Sequence, residues 1–374
     1  MMHALIIGGG PAGAALATRL ARAGREVVLV EREAGPVDKV CGEFLSREAG
    51  LYLVSLGLDL RALGAVPIDA VRLCRRDHVT TVPLPFAAMS LSRRVLDEAL
   101  LERAASAGAE VRRGTKVQEL SRAGAFTARL GDGTLLEGEA AFLATGKHDL
   151  RGHKRPPGLQ DDLVAFKLHW RLAPVQTAEL ERHVELILFD GGYAGLQPVE
   201  GGRANLCLVV RRRRLVALGQ RWDHLLAAMR AESPHLDARL EGAAPCWARP
   251  LALSAIPYGH VRHRADGLWR LGDQAAVIPS FSGDGMSIAL HSAELAADIF
   301  LQRGDADAYQ RRLSHDVARQ VRLATFLSHG LVRRPGQAAL GAAARLWPGL
   351  MSSVAFHTRV SDAALSRTMH RSHP

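Results

Sequence analysis

The chain has 374 residues, 48% of them hydrophobic and 23% charged, with a formal net charge of +10. That length allows two or three substructures around a sizeable core, and the composition excludes a disordered or fibrous chain. No run of eighteen apolar residues predicts a membrane span, no signal peptide precedes the first strand, and Cys41, Cys74, Cys207 and Cys246 lack C-x-x-C or metal spacing; a soluble protein of the reducing cytoplasm, without disulfides or metal, is expected.

In chain order, His3 to Ile7 is an apolar run that predicts a buried strand, and residues 14–23 are strong helix formers. Between them Gly8, Gly10 and Gly13 form G-x-G-x-x-G, with Pro11 and Ala12 inside it. The first glycine permits a tight turn, the second lets a pyrophosphate approach the backbone, and the third lets helix and strand pack closely. The helix N-terminus then turns unpaired N–H groups and a partial positive charge toward the phosphates. A second strand over residues 26–30 ends in Glu31, eighteen residues beyond Gly13, where a ribose-binding carboxylate belongs. Strand, turn, helix, strand and acid in that order predict a βαβ dinucleotide site, without choosing between NAD and FAD.

Residues 32–50 follow no regular period, and Cys41-Gly42-Glu43 suits a loop that passes close to a ligand; as a free thiol, Cys41 is otherwise an ordinary buried small residue. Ser46-Arg47-Glu48-Ala49 reads as a helix start, with residues 51–56 as the helix's apolar part. Short strands follow over residues 66–82, and Pro83-Leu84-Pro85 is expected to break the chain. Residues 95–107 are an amphipathic helix, residues 110–120, 125–130 and 135–139 are strands with a hairpin turn at Asp132-Gly133, and residues 140–146 form a buried strand that ends at Gly146.

From residue 161 the pattern alternates. Residues 163–173, 184–189, 193–199 and 204–210 predict an antiparallel sheet with glycine turns at Gly191-Gly192 and Gly201-Gly202. The densest basic cluster, Arg211 to Arg214, reads first as a solvated strand end and loop; contact with an anionic membrane surface, an acidic carrier protein or an acidic substrate is the alternative. No basic helix or aromatic platform goes with it, so nucleic acid is not an expected partner. Trp170, Tyr193, Trp247 and Tyr258 are candidate pocket aromatics as well as ordinary core residues, and His169 and His260 are left out of the catalytic set. Residues 267–273 are a strand ending on Asp273, residues 274–284 a loop and residues 285–302 a helix; the rest is mostly helical and basic, interrupted at Pro335-Gly336 and Trp347-Pro348-Gly349.

Four motifs together make the chain resemble FAD-dependent oxidoreductases of the geranylgeranyl reductase and aromatic hydroxylase type (group A flavoprotein monooxygenases), and more distantly flavin-dependent halogenases. They are the N-terminal fingerprint with Glu31; Arg93-x-x-Leu96-Asp97 at the head of a helix; Gly272-Asp273 followed by Pro279 and Gly283-Asp284-Gly285-Met286; and Gly192-Tyr193-Ala194-Gly195-Leu196-Gln197-Pro198. The resemblance implies FAD as cofactor, held by Gly8, Gly10, Pro11, Ala12, Gly13, Glu31, Arg32, Cys41, Gly42, Arg93, Gly146, Asp273, Pro279, Gly283, Asp284, Gly285 and Met286. It implies Cys41, Tyr193 and Gln197 as the residues near the ring, with no catalytic side chain assigned.

The departures also count. Ala144-Thr145-Gly146 stands where aromatic hydroxylases carry a D-G motif tied to NADPH, so direct binding of NADH or NADPH is not implied and a separate flavin reductase or other electron donor is expected. Gly195 stands where halogenases carry a second tryptophan, which argues against halogenation and opens room over the ring.

The expected fold is α/β: a Rossmann-like FAD-binding domain (residues 1–75, 88–160 and 262–302) interleaved with an antiparallel-sheet substrate domain (76–87 and 161–261), closed by C-terminal helices (303–374). The leading functional expectation is a monooxygenase that hydroxylates or epoxidises an apolar small molecule, aromatic or polyketide-like and free or carrier-bound. The alternatives are a double-bond reductase of the geranylgeranyl reductase type, and a flavoprotein that only relays electrons or binds a ligand.

Overall fold

The computed structural model describes residues 3–369. Its cofactor half opens with β1 (Ala4–Ile7), α1 (Pro11–Arg22) and β2 (Val27–Val30), then β3 (Phe44–Leu45), α2 (Arg47–Ser55), the long hairpin β4 (Val66–Arg75) and β5 (His78–Ser90), and α3 (Arg93–Ser106). There follow β6 (Glu110–Arg112), the meander β7 (Val117–Ala123), β8 (Ala125–Leu130) and β9 (Leu135–Gly138), and β10 (Ala140–Leu143). The second half holds β11 (Leu163–Arg171), α4 (Pro174–Leu180), β12 (His183–Phe189), β13 (Gly192–Val199), β14 (Arg203–Arg211), α5 (Arg212–Ala217), α6 (Trp222–Glu232), α7 (Pro234–Arg239), β15 (Ala244–Pro245) and β16 (Leu251–Ser254). β17 (Trp269–Arg270) returns to the first half, and α8 (Gly285–Leu301), α9 (Ala306–Leu331), α10 (Arg334–Leu346), α11 (Pro348–His357) and α12 (Asp362–Met369) close the chain.

A parallel five-stranded sheet, ordered β17-β10-β1-β2-β6, forms the cofactor layer. Its central strands are short and apolar because both faces are covered: every residue of β1 and of β10 is buried. Alanines of α1 meet alanines of α8 on one face, so these two helices approach closely, while the β7–β9 meander covers the other. The chain leaves α1 through Gly24 and returns as β2, parallel to β1, a βαβ unit.

The second sheet runs β15-β11-β14-β13-β12-β4-β5-β3, with β16 also paired to β11. It is antiparallel except where β12 meets β4 in parallel. One face carries Phe166, Leu168, Leu196, Leu206 and Leu208 against α5–α7, through Leu215, Leu225, Met229 and Leu236. The opposite face looks toward the cofactor layer.

Several sequence expectations change. β5 runs straight through Pro83 and Pro85, because β3 pairs only with residues 89 and 90 and leaves the proline side of the strand an open edge that needs no N–H donor. Residues 66–75, grouped on sequence with the cofactor unit, hydrogen-bond within the second sheet. Residues 110–120 form two strands in two different sheets, and the strand expected over 267–273 shrinks to Trp269–Arg270 before a single helical turn at Gly272–Gln274. The Arg211–Arg214 cluster is a strand end running into α5 rather than into a loop, with Arg211 paired to Asp162 (2.7 Å) and Arg214 to Glu232 (2.8 Å). No helix among the described residues is long and apolar enough to cross a membrane.

Candidate active site

A cavity of about 710 Å³ lies between the two sheets, with the C-terminal helices over its far end. The glycine turn forms its near end. Gly8 has φ +107°, a conformation that favours glycine, and a Cβ there would stand 2.5 Å from the Ala144 carbonyl oxygen. A Cβ on Gly13 would meet the Gly8 carbonyl oxygen at 1.9 Å, so the third glycine serves close packing and lies behind the cavity wall. Gly10 precedes α1 without a side-chain cap, and Pro11 occupies the first turn, where its missing N–H costs nothing.

The Glu31 carboxylate is buried at the tip of β2, where it accepts from the Gly9 N–H (2.6 Å) and the Glu33 N–H (3.1 Å). Arg93, in the first turn of α3, makes a two-point contact with Asp97 (2.7 and 2.9 Å), and Lys39 joins from the other side (2.9 Å). Burial works to raise the Asp97 carboxyl, but Arg93 and Lys39 hold it below the usual range.

Gly8, Gly10, Pro11, Ala12, Glu31, Arg32, Cys41, Gly42, Arg93, Gly146, Tyr193, Gln197, Asp273, Gly283, Gly285 and Met286 all line this one cavity. Two expected residues besides Gly13 do not. Pro279 supports the wall from behind, its carbonyl accepting from the Ser282 hydroxyl (2.8 Å). Asp284 turns its carboxylate toward the C-terminal helices, accepting from Gln320 (3.2 Å) and the Val360 N–H (3.1 Å), with Arg359 at 3.6 Å. Burial pushes its carboxyl up to about 7 despite the pull of Arg359. The Asp284 carboxylate is therefore a clamp between α8 and the C-terminal helices and points away from the cavity that its neighbours Gly283 and Gly285 line.

Sequence reasoning missed the polar centre under the Cys41–Gly42 loop. Glu43 is fully buried in a left-handed conformation (φ 62°), its carboxylate paired with Lys167 and with His169 Nε2 (2.7 Å), both fully buried on β11. Burial would raise the Glu43 carboxyl, but the His169 hydrogen bond and the Lys167 charge pull it below the usual range. Glu43 also accepts from the Arg93 N–H (2.9 Å), and its carbonyl accepts from Ser90, which in turn accepts from Gln197 (2.6 Å). Asn205 on β14 donates to the Cys41 and Gly42 carbonyls (3.0 and 2.9 Å), and Lys147 donates to the Val40 carbonyl (2.9 Å). The loop thus hangs from the second sheet by named polar contacts.

Asp38, Glu43 and His169 have ligand-like spacing, as do Cys74, Glu185 and His235. In each group cationic side chains already neutralise the carboxylate: Lys167 at the first, Arg72 (3.1 Å) and Arg239 (3.0 Å) at the second. Neither is read as a metal centre.

Above the loop, the inward face of the second sheet presents Tyr193, Gly195 and Gln197 beside Cys207 and Val209. The Tyr193 hydroxyl meets Ser280 at 3.2 Å, and burial pushes it well above its ordinary range, so it carries its proton at neutral pH. Tyr258 lines the cavity too, whereas Trp170 belongs to the opposite face of the sheet and Trp247 packs on His169 with ring centres 5.0 Å apart. At Gly42, Gly146 and Gly285 an added Cβ would meet no atom within 4 Å. These three lining glycines form an open cradle suited to a large planar ligand with its backbone contacts close by.

Residues 1–137 match the FAD binding domain family. A menaquinone reductase of Mycolicibacterium smegmatis is 29% identical over 322 residues, 81% of this chain and 77% of that protein. A digeranylgeranylglycerophospholipid reductase of Methanopyrus kandleri is 27% identical over 328 residues, 81% and 78% of the two chains. The chain is thus similar over its N-terminal 137 residues to FAD binding domains, and over four fifths of its length to these two reductases. The fold is also that of PqsL, a probable FAD-dependent monooxygenase from Pseudomonas aeruginosa, with a TM-score of 0.74 at 20% identity over 90% of this chain and 98% of that one.

FAD fits the cavity on the chain's own geometry. The glycine turn and the uncapped start of α1 would take the pyrophosphate, Glu31 the adenosine ribose, and the open glycine cradle the ring system.

Proposed function

We propose that the protein is a flavin-dependent reductase that saturates an isolated carbon–carbon double bond in an apolar, isoprenoid-type chain. The observation that carries this reading is the division of one cavity into two chemistries. Its near end is built of glycine backbone, Glu31, Arg93 and Asp273, whereas its far end is lined by Val71, Leu73, Leu253, Leu331, Met351 and Val354. A long apolar chain fits the second compartment, because its burial there releases water from both surfaces. The two reductases that align with four fifths of this sequence support the same substrate class.

When bound, FAD supplies the hydride. The protein's part is to position the double bond, exclude water and provide the proton that completes the addition. Tyr193 Oη, fixed by Ser280, and Cys41 Sγ, which accepts from the Glu43 N–H (3.4 Å), are lining atoms able to carry that proton. Electrons are proposed to arrive from a separate donor, as the Ala144-Thr145-Gly146 ending implies, rather than from NADH or NADPH bound in the cleft.

The second reading is monooxygenation, favoured by the fold shared with PqsL and by Gly195, where a Cβ would meet only the Cys207 carbonyl oxygen, at 3.8 Å. One experiment separates the two. The FAD-loaded protein, reduced with dithionite, is mixed anaerobically with a geranylgeranyl lipid and the product is weighed. The reductase reading predicts a gain of two hydrogens per bond saturated. Unchanged lipid without oxygen, together with incorporation of labelled oxygen in air, would overturn it.

A further inference from the structure

Twelve large apolar side chains are exposed among the described residues, and five of them fall within residues 326–356: Phe326 (76% exposed), Leu346 (71%), Trp347 (69%), Leu350 (45%) and Phe356 (56%). The three exposed aromatics are all in this group. Apolar side chains scattered singly over a surface need no explanation, but Leu346 and Trp347 stand exposed side by side where α10 meets α11, with Leu350 in the first turn of α11. Leu346 ends α10, Trp347 is the joint, and α11 begins at Pro348. The opposite side of the same two helices faces inward: Ala343, Ala344, Met351, Val354 and Ala355 line the far, apolar end of the cavity, and Leu350 stands at the edge between the two sides. The corner is a thin wall between that compartment and the outside.

Charge identifies the occupant. Between Asp316 and Asp362 the sequence holds no aspartate or glutamate, yet it holds Arg319, Arg322, Arg333, Arg334, Arg345 and Arg359. Arg359 is buried at the Asp284 clamp, and the other five are exposed, Arg334 with Asp190 as a partner at 3.0 Å. Leu346 and Trp347 follow directly on Arg345. Exposed leucine and aromatic side chains amid arginines, on short helices lying over a core, suit the interface of an anionic bilayer, where the apolar groups enter the acyl boundary and the guanidinium groups meet lipid phosphates. A second copy of the chain fits less well, because a two-fold contact would set two arginine-bearing segments, each without an acid of its own between Asp316 and Asp362, against each other.

We propose that the α10–α11 corner is a docking lip for an anionic lipid surface, placed so that a membrane-dissolved chain passes into the cavity without crossing water. The delivery step rests on the reductase reading, whereas the docking itself does not. It also moves the expected membrane contact from Arg211–Arg214, where Arg211 and Arg214 are ion-paired, to the C-terminal helices.

The test is flotation of the full-length, FAD-loaded protein with vesicles of phosphatidylcholine alone and of phosphatidylcholine with phosphatidylglycerol, without substrate. Binding to the anionic vesicles is expected, weakened by salt. A Leu346→Ser/Trp347→Ser double variant should bind them at least about tenfold more weakly, and Arg345→Glu about fivefold, with FAD content unchanged. Neither Leu346 nor Trp347 lines the cavity, so turnover of a short, water-dispersed isoprenoid should stay at the parent level while turnover of the vesicle-borne lipid falls. Vesicle binding equal in parent and double variant would overturn the proposal. So would a solution dimer that the same substitutions dissociate while no vesicle binding is seen. If the vesicles are bound but the anaerobic assay yields no saturated lipid, the reductase reading fails and the docking lip stands.

Discussion

Replacing Lys167 by methionine probes the polar centre beneath the Cys41–Gly42 loop. Lys167 and Glu43 are both fully buried, so the substitution leaves the Glu43 carboxylate with the His169 ring at 2.7 Å as its nearest side-chain partner. Breaking a buried pair by removing one partner costs about 3–5 kcal/mol, and the surviving His169 and Arg93 N–H contacts place this case toward the lower end, about 3 kcal/mol. Urea unfolding followed by circular dichroism measures the loss as a lower midpoint. The Glu43→Gln/Lys167→Met double variant, which removes both charges, should lose less than the two single losses summed.

The pH dependence has a definite sign. The Glu43 carboxyl is held below its unfolded value, so its contribution to stability is present above roughly pH 4.3 and is lost as pH falls through the depressed folded value. Without Lys167 the folded value rises, and acid unfolding should begin at a higher pH. The loop that Glu43 anchors lines the cavity, so FAD should also dissociate more readily. A loss below about 1 kcal/mol, with an unchanged acid limb, would refute the assignment of Lys167 as the main counter-charge.

Three further outcomes follow from the same geometry. Gly13→Ala forces a Cβ to 1.9 Å from the Gly8 carbonyl oxygen, so the turn must shift; a loss of about 1–3 kcal/mol in unfolding and a sharp fall in FAD affinity by fluorescence titration are expected. Gly195→Phe projects a ring into the cavity from the inward face of β13, so FAD content should be retained while kcat/KM for a long-chain substrate falls at least tenfold, with a smaller effect on a short one. Burial, aided by Arg155, Arg262 and Arg270, pushes His260 down to about 4, so it stays neutral in the folded chain while the unfolded chain takes up a proton below roughly pH 6.5; stability should fall by roughly 1–3 kcal/mol between those values, and His260→Gln should flatten that limb in urea titrations at stepped pH.

The cofactor half was legible because its rules are local. Gly8, Gly10 and Gly13 answer to contacts within a single βαβ unit, and Glu31 sits at the end of the next strand, so spacing alone places them. The second sheet was legible in its strands but not in its faces. Lys167 and His169 alternate with Phe166, Leu168 and Trp170, a pattern that ordinarily marks a solvated face. Both are buried because the 38–43 loop covers that face and brings Glu43, a partner more than 120 positions away in the chain. The alternation was visible, but the covering loop was not.

Asp284 misled for the opposite reason. Its neighbours Gly283 and Gly285 line the cavity, yet its own side chain points to Arg359 and Val360, contacts supplied by helices that no local motif predicts. The prolines of β5 likewise stopped a strand on paper because an edge position is a property of the sheet rather than of the segment.

The account depends on one cleft binding FAD at its glycine-built end. The most direct measurement is titration of flavin-free, folded protein with FAD, followed by quenching of flavin fluorescence, in the parent chain and in Gly13→Ala. The account predicts saturation at one FAD per chain in the parent and a markedly weakened curve in the variant. A folded parent chain that takes up no FAD, or equal binding by both proteins, would contradict it.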